Sequence, residues 1–296
     1  MAKTAKAAAT PPPAAPPPTV VISDVMVGTQ QLRVAYRPAS DPARPVLLMF
    51  NGIGANLELA LPFMEALGAL DQGMLIFDIP GVGGSLNPAV PYRPGTLARL
   101  AHDLVATMGL GPVVDVAGVS WGGGLAQQFA RQYPEMTRRL ILVATTAGVA
   151  MVPGNLGAIF KMVGPKRYID KGYMRSVAGE LYGGAFRKDP SLINQHAHAM
   201  KGATQYGYIL QLTAMVGWTS IHWLHTLKMP TLVLAGTDDP LINVFNAKML
   251  ARLIPDARLA LIDDGHLFVV TQPRETAQIV VDFLHGSDGL ANYPKA

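Results

Sequence analysis

Residues Val113–Gly124, VVDVAGVSWGGG, constrain the fold of this chain more than any other stretch. The β-branched run Val113, Val114 and Val116 predicts a short buried strand. Leu125, Phe129 and Ala130, directly after the motif, fall on one face of a helix. Between strand and helix stands Ser120, with Gly118 and Gly122 two places to either side. A strand that passes into a helix through one serine must turn sharply there, and side chains two positions away would crowd the turn, so glycine fits both places. The turn lifts the hydroxyl above the sheet and aims the first N–H groups of the helix at any negative charge that forms beside it.

Short apolar runs alternate with helical patterns on both sides of this motif. Val20–Val27 and Leu32–Arg37 predict a hairpin around Gly28-Thr29-Gln30. Val46–Phe50, Met74–Asp78, Val113–Val119, Arg139–Thr145, Thr231–Ala235 and Arg258–Ile262 predict further strands. Leu57–Leu70, Thr96–Met108, Trp121–Tyr133, Val244–Leu253 and Thr271–His285 predict helices. Such alternation makes an α/β fold with a mostly parallel central sheet and helices on both faces. From Gly148 to about Leu227 the rhythm stops, and Met and aromatic residues crowd into helical patterns. The segment 148–227 is therefore expected to be a helical lid inserted after the sixth main-sheet strand, between core segments 20–147 and 228–286. Met151, Tyr182, Trp218 and Trp223 are its candidate substrate-binding side chains. Residues 1–19, with Pro11–Pro13 and Pro16–Pro18 among alanines, are expected to be a disordered Ala/Pro-rich tail, and 287–296 a C-terminal tail.

Composition removes several classes of function. The chain has no cysteine, which excludes disulfides, a thiol nucleophile and Cys-based metal centres. The net charge of +4 comes from scattered basic residues with no stripe interleaved with aromatics, so no nucleic-acid partner is expected. No apolar run reaches the ~18 residues of a membrane span, and the prolines of the tail interrupt any secretory leader, so the expected location is cytoplasmic. Charged residues make up 15% of the chain, well below the usual ~25%, which fits either a large core beside an Ala/Pro-rich tail that dilutes the charge or a face that meets something apolar.

A serine hydroxyl becomes a nucleophile only when a neighbouring base takes its proton. Thr231–Ala235 runs into Gly236-Thr237-Asp238-Asp239-Pro240, which places two acids at the carboxyl end of a strand. Asp239 is expected to orient the base, and Asp238 to cap the turn. Arg258–Ile262 ends in Asp263-Asp264-Gly265-His266, and His266 is the expected general base. The order Ser, Asp, His is that of serine enzymes built on a strand–serine–helix turn. Two N–H groups must meet the developing oxyanion; Trp121, after the serine, and Ile53, after Val46–Phe50, are the candidates. Asn51 and Gly52 support that loop, Asn51 through side-chain hydrogen bonds. His196 with His198, and His222 with His225, lack the further ligands a metal site needs, so no metal is expected. Gly81-Val82-Gly83-Gly84 lacks dinucleotide-binding spacing, and no cofactor is expected.

NGIGANLELA (51–60), DIPGVGGS (78–85), GVSWGGGLAQQFA (118–130), YGGAFRKDP (182–190), GWTSIHWLH (217–225), LAGTDDPLI (234–242) and DDGHLF (263–268) resemble the intracellular depolymerases of medium-chain-length polyhydroxyalkanoates, serine hydrolases of the α/β-hydrolase superfamily. The resemblance covers about residues 20–285. It implies hydrolysis of the esters that join 3-hydroxyacyl units, a Ser120–Asp239–His266 triad, the polymer or its storage granule as partner, and a granule-associated location. Asn243 departs from the proline that relatives tend to carry there. The same triad would also serve an esterase, lipase or acyltransferase acting on small apolar esters.

Overall fold

In the computed structural model, residues 19–164, 166, 170–200, 204–286 and 293–294 are described. The hairpin β1 (Val21–Val27) and β2 (Gln30–Arg37) comes first. Strands and helices then alternate as β3 (Leu47–Phe50), α1 (Leu61–Ala69), β4 (Met74–Phe77), α2 (Pro94–Thr107), β5 (Val114–Val119), α3 (Trp121–Gln132) and β6 (Thr137–Val143). A helical insertion follows, with α4 (Leu156–Val163), α5 (Lys171–Tyr182), α6 (Gly184–Lys188), α7 (Pro190–Ala199) and α8 (Gln205–Ala214). Alternation resumes with β7 (Thr231–Gly236), α9 (Val244–Leu253), β8 (Ala257–Ile262), α10 (Phe268–Thr271) and α11 (Pro273–His285).

The strands form one eight-stranded sheet in the order β1-β2-β4-β3-β5-β6-β7-β8. β1 and β2 run antiparallel, as do β2 and β4, and every other neighbouring pair is parallel. β3, β4, β5 and β7 are buried at every residue, the reason their sequences are mostly apolar, with the buried Asp115 of β5 paired to Arg138. Alternate residues feed opposite faces. Leu48, Phe50, Val116 and Val233 join the side covered by α2, α3 and α9, whereas Leu47, Met49, Ala117 and Leu232 join the side covered by α1 and α11. The order of strands reverses at β3, which lies between β4 and β5, so the crevice at the carboxyl ends of β3 and β5 is the switch point where open α/β sheets take ligands.

Two local expectations are corrected. Gln30 belongs to β2 and pairs with Val27, which leaves Gly28-Thr29 as the turn. The last helix divides, because Pro273 lacks an N–H and opens a new helix rather than continuing α10. Part of the Met and aromatic content of the insertion fills its own small core, with Met174, Leu181, Tyr182 and Phe186 packed against Leu241. The expected tails fall outside the described residues except at Thr19, Tyr293 and Pro294.

The glycine turn after β4 is organised by Asp78. Its carboxylate is fully buried and accepts the N–H groups of Leu57 (2.7 Å) and Gly84 (2.8 Å). Gly83 has φ +56 and no room for a Cβ beside that carboxylate. Burial pushes the Asp78 carboxyl up from 3.8 to about 6, against the pull of these N–H groups and of Arg33. The folded state therefore holds this proton more tightly than the unfolded chain, and the stabilisation is complete below pH 3.8 and lost as pH rises through about 6. Relative to Asp78→Asn, wild-type stability is expected to fall by up to about 3 kcal/mol between pH 4 and pH 7. Urea unfolding of both proteins at the two pH values checks this; a constant difference would contradict it.

Candidate active site

β5 ends one residue before Ser120, and α3 begins one residue after it. Ser120 takes φ 53 and ψ −117, a conformation that L residues adopt only where the surroundings impose it. Its N–H donates to Val143 O of β6 (2.8 Å), and its carbonyl accepts Gly123 N (2.9 Å) and Thr145 Oγ1 (2.7 Å). The flanking glycines are demanded by space. A Cβ on Gly118 would stand 2.2 Å from Gly122 O, and one on Gly122 2.3 Å from Phe50 O, both backbone atoms.

β7 and β8 are parallel to β5, so the loops that follow them emerge at the same sheet edge. There His266 Nδ1 meets Asp239 Oδ2 at 2.6 Å, with side-chain exposures of 3% and 1%. Asp239 Oδ1 accepts the N–H groups of Leu241 (2.8 Å) and Ile242 (2.9 Å), which fixes the carboxylate rigidly. The expected role of Asp238 is corrected here. Asp239 itself caps the turn, and Asp238 reaches away to the N–H of Gly184 (2.7 Å) and to Arg187 (2.6 Å). The insertion is thus fastened to both loops, because Tyr182 O accepts His266 N–H (2.6 Å) and Asp264 Oδ1 accepts Ala185 N–H (2.7 Å).

Ser120 and His266 line one cavity, together with Ile53, Tyr182, Met162 and Met200. The loop after β3 forms its wall. Asn51 Nδ2 donates to Asn56 O (3.1 Å), as the sequence suggests, and Gly52 lies within 3.7 Å of the Ser120 Cβ by its own ideal Cβ position. Trp121 opens α3, and its backbone N–H is among the four that a helix leaves unpaired. Ser120 and Trp121 also border a second cavity, walled by Met151, Met215, Trp218 and Ile242.

Of the four expected lid side chains, Tyr182 faces the first cavity, and Met151 and Trp218 the second. Trp223 lines neither. It stands edge-on behind Trp218, with ring centroids 6.1 Å apart, and packs against the main core. His196 turns inward, against the rings of Tyr182 and Phe186, and borders the first cavity, whereas His198 bonds back to Asn194 O (2.8 Å) on an exposed face. The pair therefore does not converge on a common point.

Gln211 of α8 is absent from the sequence-based candidates. It is fully buried; its Oε1 accepts Gly54 N–H (2.7 Å) and its carbonyl accepts Trp121 Nε1–H (3.0 Å). One residue so ties the loop after β3 to the start of α3. Its signal in the sequence is faint: a glutamine on the buried stripe Gly207–Gln211–Ala214 of an otherwise apolar helix face.

The α/β-hydrolase fold family matches residues 45–273. The chain is 49% identical over 264 residues to the poly(3-hydroxyalkanoate) depolymerase of Ectopseudomonas oleovorans, covering 89% of this chain and 92% of that one. It is 23% identical over 250 residues to 3-oxoadipate enol-lactonase 2 of Acinetobacter baylyi, covering 83% and 90%. The solved structure of the enol-lactonase from Burkholderia xenovorans superposes with a TM-score of 0.77 at 21% identity, covering 89% of this chain and all of that one, which speaks for the fold alone.

Proposed function

The chain belongs to the α/β-hydrolase fold family, and from that premise we propose that it is a serine hydrolase of poly(3-hydroxyalkanoate), releasing 3-hydroxy fatty acids. The observation that carries this reading is one cavity bordered by both a strained Ser120 and a His266 bonded to Asp239, in a chain similar along nearly its full length to a polymer depolymerase. Ser120 Oγ attacks the ester carbonyl while His266 takes its proton and Asp239 holds the imidazole in place. The N–H groups of Trp121 and Ile53 receive the oxyanion, each such donor being worth about 3 kcal/mol in the transition state. The C–O bond to the next unit breaks, His266 gives its proton to the leaving oxygen, and a 3-hydroxyacyl ester of Ser120 remains. Water, deprotonated by His266, then releases the acid.

Low charge and apolar cavity walls fit an aliphatic polyester. The helical insertion acts as the lid, and the enzyme works at the surface of storage granules in the cytoplasm. Among the described residues no helix is long and apolar enough to cross a membrane. The test is release of 3-hydroxy acids from amorphous medium-chain polyhydroxyalkanoate granules, with Ser120→Ala as control. Release that requires Ser120 supports the proposal; hydrolysis confined to soluble esters moves the function to a small-molecule esterase.

Gln211 is a positioning residue in this scheme. Gln211→Leu leaves Gly54 N–H without its acceptor and loosens the loop that carries Ile53. The expected result is a kcat lower by about tenfold to a hundredfold, with KM changed far less, because the oxyanion forms only in the transition state. Steady-state kinetics on a soluble ester reads this split; a rise in KM alone would show that Gln211 serves substrate binding.

A further inference from the structure

Two cavities meet at Ser120, and they differ in one respect that bears on the chemistry. Among the described residues His266 borders only the first. We infer that the ester is held in one direction: the acyl unit occupies the cavity of Met151, Met215, Trp218 and Ile242, and the leaving chain occupies the cavity of Tyr182, Met162 and Met200. The inference rests on the proposed roles of Ser120 and His266.

The proton inventory dictates the direction. When the Oγ–carbon bond forms, the serine proton passes to His266, and when the carbon–oxygen bond to the next unit breaks, that proton must reach the departing oxygen. The departing oxygen therefore lies on the side that His266 borders. The carbonyl carbon is bonded to Oγ, which borders both spaces, so the acyl chain extends the other way. In the second step water takes the place of the departed oxygen, gives a proton to His266, and forms its bond to the carbonyl carbon as Oγ leaves with that proton. The first cavity must then admit water, and it carries the polar groups Tyr182 and His196 among its apolar walls.

The second cavity is built to read an alkyl chain. Trp218 Nε1–H is already taken by Gln128 Oε1 (2.8 Å), so the indole presents its apolar ring, and Trp223 stands behind it. Gly124 lets this wall pack directly on α3, since a Cβ there would meet Met215 Cε at 3.0 Å and the Trp218 ring at 3.2 Å. Side-chain length of the acyl unit is read here, and the nature of the leaving unit in the other cavity.

Two ester series separate the sides. p-Nitrophenyl esters of acids from four to twelve carbons vary only the acyl group, and butyrate esters of alcohols over the same range vary only the leaving group. Met151→Trp fills the second cavity and Met200→Trp the first. Each methylene denied its apolar site lowers kcat/KM by about fourfold. The expected result is that Met151→Trp shifts the acyl profile toward short chains by tenfold or more and leaves the alcohol profile as in wild type, and that Met200→Trp does the converse. Met151→Ala, which enlarges the same wall, is expected to shift the acyl profile toward longer chains and guards against a folding defect in the tryptophan variant. The opposite pairing reverses the direction and overturns the inference, as do variants that move both profiles or neither. Loss of Ser120-dependent hydrolysis in wild type, on either series, would instead remove the parent reading.

Discussion

Replacing Ser120 with alanine is expected to lower kcat by about five to six powers of ten while the protein stays folded. The hydroxyl contributes nothing to the turn that holds it, because the bonds there run through the backbone: Ser120 N–H to Val143 O, and Ser120 O to Gly123 N and Thr145 Oγ1. Alanine keeps all three and inherits the same φ of 53°. Glycine relieves that conformation, and Ser120→Gly is expected to gain about 1 kcal/mol of stability, the strain of a misplaced L residue less the extra chain entropy of glycine. Stability and activity thus move in opposite directions at one position, as they do where a fold stores strain for chemistry. Thermal unfolding of the three proteins beside their rates on a soluble ester checks both halves. A wild-type rate in Ser120→Ala would place the nucleophile elsewhere.

The sheet was legible because parallel strands buried on both faces carry few polar residues to interrupt them, as in Leu47–Phe50 and in Leu232–Ala235 of β7. Helix α9 matches its expected span of 244–253 because Asn243 caps it, its side chain accepting Phe245 N–H (2.9 Å). The order of Ser120, Asp239 and His266 could be read because each follows a strand of the same sheet, and parallel strands deliver their loops to one edge. What could not be read depends on how distant helices rotate against that edge. Nothing local separates Trp218, which walls a cavity, from Trp223, which packs behind it. Gln211 meets Gly54 across 157 positions of sequence, and the partner of Asp238 is a backbone N–H of the insertion. Periodicity identifies a buried face but not what it is buried against.

Asp239→Asn is expected to lower kcat by about ten-thousandfold, near 5 kcal/mol of transition-state stabilisation, with little change in fold. The two oxygens of Asp239 have separate tasks. Oδ1 accepts Leu241 and Ile242 N–H and shapes the turn, and Oδ2 meets His266 Nδ1. An asparagine that keeps its oxygen on the turn must present its amide N–H groups to the imidazole. Nδ1 then has to be the acceptor, the ring proton moves to Nε2, and the ring can no longer take the proton of Ser120. Geometry survives and the tautomer is wrong. Asp238→Asn supplies the contrast one residue away. That side chain is 46% exposed in an ion pair with Arg187, where solvent screens the interaction and the expected loss of stability is below about 1 kcal/mol. Its kcat is expected to stay within about threefold of wild type, because it touches neither His266 nor the cavity that Ser120 borders. Rates of the two variants on one soluble ester, measured beside their unfolding midpoints, decide the assignment. A larger loss in Asp238→Asn would move the orienting acid one residue back and undo the reading of Asp239.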